Sequence, residues 1–202
     1  MSQFHDLIDS NLFQGKIFFD KPLENLTWLK VGGKASCLYI PKSKEDLAVF
    51  LKHIDSKVKI SVFGRLSNVL IRDGGISGVT ILIPPSFSQL EIHKNNKITL
   101  GSGLLDKNVS QFAYDNNLGG FEFLSGIPGN IGGAIAMNAG CYGSEIKDII
   151  DEVLILEKDG ELKSYNNKEM NFSYRDSIIK TDQIIIEATF QGRHENKSNI
   201  KE

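Results

Sequence analysis

Cysteines, charge of one sign and long apolar runs are all scarce in this chain. Cys37 and Cys141 are the only two cysteines among 202 residues, too few for a disulfide framework or a four-ligand zinc site. His5, His53, His93 and His194 are scattered, with no paired spacing that suggests a metal. Lysine and arginine total 23 against 25 aspartates and glutamates, a formal charge of −2. No basic excess therefore exists to hold nucleic acid, and no basic block marks a membrane surface. The longest apolar runs fall far short of the roughly 20 residues of a membrane-crossing helix. Met1 to Ser10 carries His5, Asp6 and Asp9 where a leader would be basic and then apolar. The expectation is a cytoplasmic protein with reduced thiols, without a metal and without nucleic-acid or membrane partners.

Apolar residues make up 41% of the chain and charged residues 24%, enough to build a core and too ordered a balance for a disordered or fibrous protein. Ala35 to Ile40 reads as a strand that stops at Pro41. Ser43 opens a helix, with Asp46 three residues on as a capping-box-like partner and Leu47, Phe50, Leu51 and Ile54 at helical spacing. Lys59 to Phe63 reads as the next strand, so the run forms a βαβ unit. Val69–Ile71 and Val79–Ile83 read as short strands around the Asp73-Gly74-Gly75 turn. Beyond Pro84-Pro85, Leu90–His93 and Lys97–Leu100 flank Asn95-Asn96 as a hairpin. Asp106–Asn116 reads as a helix ending near Gly119 or Gly120, Val153–Leu156 and Glu161–Tyr165 as a second hairpin, and Ile184–Phe190 as a final strand. The spacing predicts two α+β subdomains, residues 1–84 and 85–192, followed at 193–202 by a polar tail that opens a linker.

Glycine is the outlier, with 19 residues and a dense group between positions 119 and 143. Glycine inside a helix costs about 1 kcal/mol relative to alanine. Ser125-Gly126-Ile127-Pro128-Gly129-Asn130-Ile131-Gly132-Gly133 therefore fits either close packing of helix on sheet or backbone that approaches a flat ligand or a pyrophosphate. Gly64-Arg65-Leu66-Ser67-Asn68 follows a strand and fits either a surface turn or an anion cradle of backbone N–H groups. It has the glycine spacing of neither a P-loop nor the dinucleotide fingerprint. Arg175, Tyr174 and Glu122 read from composition alone as a surface arginine, a packing aromatic and a solvated edge residue.

These residues carry a resemblance. Ser125 to Gly143 closely resembles the flavin-binding segment of the UDP-N-acetylenolpyruvoylglucosamine reductase family. Thr27-Trp28-Leu29-Lys30-Val31-Gly32-Gly33-Lys34-Ala35 resembles the family's N-terminal Thr-x-x-x-x-Gly-Gly-x-Ala stretch. Gly64–Asn68 resembles its Gly-x-Gly-Ser-Asn loop, and Tyr174-Arg175-Asp176-Ser177 its Tyr-Arg-x-Ser motif. The resemblance runs from about Leu23 to Phe190 and implies an α+β, two-subdomain FAD-binding fold of the vanillyl-alcohol-oxidase (PCMH) type. It implies FAD as cofactor, NADPH as hydride donor, and a small-molecule nucleotide-sugar substrate whose enolpyruvyl group is reduced for peptidoglycan precursor synthesis. By the same resemblance Gly64, Arg65, Leu66, Ser67, Asn68, Ser125, Gly126, Gly129, Asn130, Ile131, Gly132, Gly133 and Asn138 contact the flavin nucleotide. Tyr174 touches substrate, and Arg175 is the catalytic cation that meets the carboxylate of the enol-like intermediate.

Two departures stand out. Leu66 occupies the place of a family glycine, so a left-handed backbone there would be strained by roughly 1 kcal/mol and FAD binding weakened. Ser198 is the only serine beyond Ser177, and its neighbours do not match the Gly-Ser-x-Phe-Lys-Asn-Pro pattern of the family's proton donor; a late glutamate also finds no position. The 202 residues are thus expected to bind FAD with little turnover of their own. A non-catalytic flavin- or nucleotide-binding module fits the same pattern.

Overall fold

A computed structural model describes residues 12–200. The first half contains β1 (Lys16–Pro22), β2 (Lys34–Ile40), α1 (Lys44–His53), β3 (Ile60–Phe63) and β4 (Ile76–Leu82). They form one four-stranded sheet in the order β1-β2-β4-β3. β2 and β3 both run parallel to β4, which lies between them, while β1 joins antiparallel at the edge. Helix α1 is the crossover between β2 and β3 that parallel strands require. The Ser43 side chain caps its start by accepting from the Asp46 N–H at 3.3 Å, and Glu45–Asp46 and Lys52–His53 place their charges to suit the helix dipole.

The Asp46 carboxylate does not complete a capping box. It accepts instead from the Tyr39 hydroxyl at 2.6 Å and from the N–H groups of Lys42 and Gln14 at 2.8 and 2.7 Å. Tyr39 itself stacks on Phe50, ring centroids 3.6 Å apart. β2 is covered on both faces: Cys37 and Tyr39 pack with Leu47, Phe50 and Leu51 of α1, whereas Ala35 and Leu38 join Leu23, Leu66 and Ile71. Residues 69–71 do not form a strand. Ile71 is used as a plug against Gly32, where an added Cβ would lie 2.9 Å from the Ile71 Cβ, and the adjoining backbone is tied by the Gly33 N–H to the Arg72 carbonyl at 3.0 Å.

The second half contains β5 (Leu90–Ile92), β6 (Lys97–Gly101), α2 (Asp106–Asp115), β7 (Leu118–Gly119), α3 (Ile131–Ala136), β8 (Gly140–Cys141), β9 (Ser144–Glu145), β10 (Ile150–Leu156), β11 (Leu162–Asn166), β12 (Ile184–Gln191) and β13 (Arg193–His194). Its main sheet is five-stranded, in the order β11-β10-β12-β6-β5, antiparallel throughout. Asn95 and Asn96, both near φ +61°, close the β5–β6 hairpin, the pairing that a primed turn demands. Asn117, φ +57°, rather than a glycine reverses the chain after α2, because asparagine tolerates the left-handed region.

Strand β12 serves two cores. Ile184 and Ile186 join the cluster of Tyr39, Val79 and Ile81 from the first half, together with Phe87. Ile185, Ala188 and Phe190 join Ile98, Leu100, Val109, Ile131, Ile135 and Val153 of the second. The polar residues after β12 are not an open linker: β13 pairs with β7, the Glu195 N–H donates to the Asn117 carbonyl at 2.9 Å, and Ile200 is buried. Gly119, which lacks a side chain, leaves room for that return.

Candidate functional site

β3 runs directly into the loop Gly64–Asn68, and the chain after α2 returns through residues 125–133 to lie against it. Asn130 joins the two. Its Oδ1 accepts from the Arg65 N–H at 2.8 Å, and its Nδ2 donates to the Gly103 carbonyl at 2.5 Å. A second tie runs from the Ser67 hydroxyl to the Pro128 carbonyl at 2.5 Å. Gly64 is required where it stands, because a Cβ would lie 2.6 Å from Asn130 Oδ1. Leu66 holds φ +52°, the left-handed conformation that the sequence reading flagged, and its side chain is buried among Leu23, Ala35, Leu38 and Ile71. Among the described residues, none accepts from the N–H groups of Leu66, Ser67 and Asn68.

Between the halves lies a cavity of ≈ 360 Å³. Ile60–Gly64 and Ile83 line one side; Ser102, Gly132, Gly133, Ala136, Ile179–Thr181, Gln183 and Ile185 line the other. The first turn of α3 faces it. The Ile131 and Gly132 N–H groups donate to the Leu104 and Ser102 carbonyls at 2.9 and 3.0 Å, while the Gly133 N–H has no acceptor among the described residues. A Cβ on Gly132 would lie 2.9 Å from Ser102 Cβ, so this glycine serves packing; one on Gly133 would meet nothing within 4 Å.

Ser125 donates to the Glu122 carbonyl at 2.8 Å. Gly126 is overlaid by Cys141 and Tyr142, whose atoms would approach its Cβ to 2.7 and 3.0 Å. Asn138 is buried, and its amide is committed to protein: Nδ2 donates to Glu145 Oε2 at 2.7 Å and to the Ser173 carbonyl at 2.9 Å, and Oδ1 accepts from the Lys147 N–H at 3.0 Å. It holds the loop in place. Glu122, expected as a solvated edge residue, accepts from the Gly120 N–H at 2.8 Å.

Tyr174 and Arg175 form the tip of a tight turn closed by reciprocal Ser173–Asp176 backbone bonds of 3.0 and 3.4 Å. The Ser177 hydroxyl staples this turn to the Ala136 carbonyl at 2.8 Å. Arg175 adopts φ +57°, a left-handed state that is strained for a residue with a Cβ. One of its nitrogens donates to the Gly140 carbonyl at 3.2 Å, and its guanidinium carbon lies 6.0 Å from the Tyr174 ring centroid. Tyr174 is 88% exposed, leaving most of this cation and aromatic pair open to a ligand.

Two polar groups beside the glycine loops read from the sequence only as a turn residue and a helix start. Ser102 sits in a Gly-Ser-Gly turn, its buried hydroxyl without a partner among the described residues. Asp106 opens α2, wholly buried, with neither carboxyl oxygen hydrogen-bonded to any described residue. Burial pushes its pKa up to about 8, so it stands as a neutral acid at pH 7. Its Oδ2 lies 3.1 Å from where a Gly129 Cβ would project. The signal for both is the Gly101–Asp106 turn after β6, whose role depends on Asn130 arriving from elsewhere in the chain. Among the described residues, no group of three or more histidine, cysteine, aspartate or glutamate side chains could hold a metal, and no helix is long and apolar enough to cross a membrane.

Comparison with known proteins agrees with this geometry. Residues 35–166 match the family model described as FAD binding domain. The UDP-N-acetylenolpyruvoylglucosamine reductase of Rickettsia canadensis (strain McKiel) is 43% identical over 189 residues, covering 94% of this chain and 64% of that protein. The protein of the same name from Orientia tsutsugamushi (strain Ikeda) is 44% identical over 183 residues, covering 89% and 60%. This chain thus spans somewhat under two thirds of the length of the curated relatives it matches. Among solved structures, the UDP-N-acetylenolpyruvylglucosamine reductase of Thermus caldophilus superposes with a TM-score of 0.78 at 28% identity, over 93% of this chain and 65% of that one. A cholesterol oxidase variant from Brevibacterium sterolicum shares the fold at 16% identity, TM-score 0.65, over 90% and 38%. The family model alone accounts for more than half of the sequence and takes in both glycine loops; the chain belongs to the FAD-binding domain family.

Proposed function

We propose that this chain is the flavin-holding part of a UDP-N-acetylenolpyruvoylglucosamine reductase, which reduces UDP-N-acetylglucosamine enolpyruvate to UDP-N-acetylmuramate with NADPH as hydride donor, in the cytoplasm, for peptidoglycan synthesis. One observation carries the reading: two glycine loops from opposite halves are joined by Asn130 at the mouth of a cavity, with N–H groups at Leu66, Ser67, Asn68 and Gly133 that have no acceptor among the described residues. The residues present fit FAD. Four free amide donors suit a diphosphate, and the open front of Gly133 together with the buried, unpartnered Ser102 hydroxyl suits a flat polar-edged ring. When bound, FAD supplies the two-electron carrier between NADPH and substrate.

The chain's own residues do the rest. Gly64–Asn68 and Gly129–Gly133 grip and orient the cofactor. β3 and residues 179–185 wall it from water. Arg175, anchored through a single hydrogen bond, keeps its other N–H donors for the substrate carboxylate, where charge builds up as the enolpyruvyl double bond is reduced. A fork of parallel charge-assisted bonds fits that group better than a point charge. Titrating the flavin-free chain with FAD tests the reading: saturable binding with a perturbed flavin spectrum is expected, and its absence defeats the proposal. In the assembled reductase, Arg175→Ala is expected to lower kcat by roughly 100- to 1000-fold, the range for loss of a donor aimed at developing negative charge, with FAD affinity unchanged.

A further inference from the structure

Trp28 is the only tryptophan of the 202 residues, and it is 70% exposed. Leu29, Val31 and Leu70 are exposed as well, Leu70 at 72%. Concentrated apolar surface of this kind marks a place that something covers. The Trp28 backbone N–H donates to the Leu66 carbonyl at 3.2 Å, which fixes this stretch of chain to the loop whose next amides, at Ser67 and Asn68, have no acceptor among the described residues. The turn that carries it is held rigidly. The buried Thr27 hydroxyl donates to the Val31 carbonyl at 2.8 Å and accepts from the Val31 N–H at 3.2 Å, and the Lys30 N–H donates to the Thr27 carbonyl at 3.3 Å.

The loop therefore has two ends of different character. Through Gly64 it opens into the cavity between the halves; through the Leu66 carbonyl it is tied to the backbone of Trp28, whose side chain is exposed. A ligand that meets both ends with an anion between them has a ring system, a diphosphate and a second flat ring. We propose that Trp28 is the platform on which the adenine of FAD stacks, so that it sets the preference of the site for FAD over FMN. This rests on the flavin reading above. Indole offers a large rigid face, and stacking a base on an aromatic side chain changes affinity by about 5- to 100-fold on alanine substitution.

The test uses the flavin-free 202-residue chain titrated with FAD, FMN and ADP. Because Trp28 is the sole indole, its emission reports on this position alone. ADP, which does not absorb at the emission wavelength, is expected to quench or shift it. Trp28→Ala is expected to weaken FAD and ADP about 5- to 100-fold and leave FMN within twofold, while Trp28→Phe keeps most of the FAD affinity. Circular dichroism checks that each variant is folded. Unchanged FAD affinity in Trp28→Ala, equal weakening of FAD and FMN, or an emission indifferent to ADP overturns this proposal and leaves flavin binding standing. Failure of the unaltered chain to bind any flavin removes the reading beneath it, and the proposal with it.

Discussion

Leu66 shows how a single residue can be wrong for its backbone and right for its surroundings. A left-handed leucine costs about 1–2 kcal/mol, yet its side chain is one of five that build the small core behind the loop. Leu66→Gly relieves the strain and deletes the buried side chain; Leu66→Ala deletes the side chain and keeps the strain. Loss of a buried leucine side chain costs about 2–5 kcal/mol, so denaturant unfolding is expected to rank the native chain first, Leu66→Gly second and Leu66→Ala last. An alanine variant as stable as the glycine variant would show that the left-handed backbone is not enforced. Sequence alone exposed the departure from glycine, but it could not show that the leucine side chain has a core to enter.

Asp106 makes the pH dependence. Folded, it keeps its proton up to about pH 8; unfolded, it releases it near pH 3.9. Between those values the folded state binds more protons, so the contribution of this group is greatest below pH 4 and falls as pH rises toward 8, by up to about 1.4 kcal/mol per pH unit. Above pH 8 both states are ionised and this contribution stops changing. Thermal denaturation of the native chain minus that of Asp106→Asn is expected to trace this decline, and two parallel profiles would show that the acid is ionised when folded. Sequence gave no hint of this acid because aspartate at the start of a helix is ordinarily a solvated partner of the dipole.

Among the elements, the β2–α1–β3 unit was the most legible, since Ser43, the helical spacing of Leu47, Phe50 and Leu51, and the Phe63–Gly64 boundary are all local signals. The part played by Asp46 was not. Its carboxylate gathers three donors from β2 and the chain on either side of it, at 2.6 to 2.8 Å; burial, with the Asp46 bond adding to it, raises the pKa of the Tyr39 hydroxyl. Asp46→Ala strands a buried hydroxyl and two N–H groups and is expected to cost about 3 kcal/mol; Tyr39→Phe removes only one bond and is expected to cost about 1 kcal/mol. Equal losses in chemical denaturation would point to a helix-capping effect instead. Edge strand β1 went unread because its pairing lies wholly with β2 and Asp20, at φ +47°, interrupts its alternation. The reverse error, a strand at 69–71, came from reading Ile71 as a strand residue when it is a plug.

For the whole molecule, the glycine loops read from composition equally well as close packing or a surface turn and as backbone that approaches a ligand, and only the resemblance pointed to a flavin nucleotide. The cavity wall at residues 179–185 was not legible, because nothing in a Lys-Thr-Asp-Gln stretch announces that it will face Gly64 across the chain. Ile184 and Ile186 lie in a core with Tyr39, Val79 and Ile81, so both sheets are expected to unfold in one transition. FAD at a hundred times its dissociation constant should raise stability by about 2.7 kcal/mol, moving that single transition upward without splitting it. Two separated melts, or a shift of only one spectroscopic signal, would contradict the shared core.

The same strand has a bearing on how a cofactor gets in. Jaws need a pivot, and a pivot needs a seam where few side chains interlock; here β12 is riveted into both bodies. The slot between them is therefore a fixed receptacle, filled by threading from its rim, and the empty and loaded forms should superpose with their sheets unmoved.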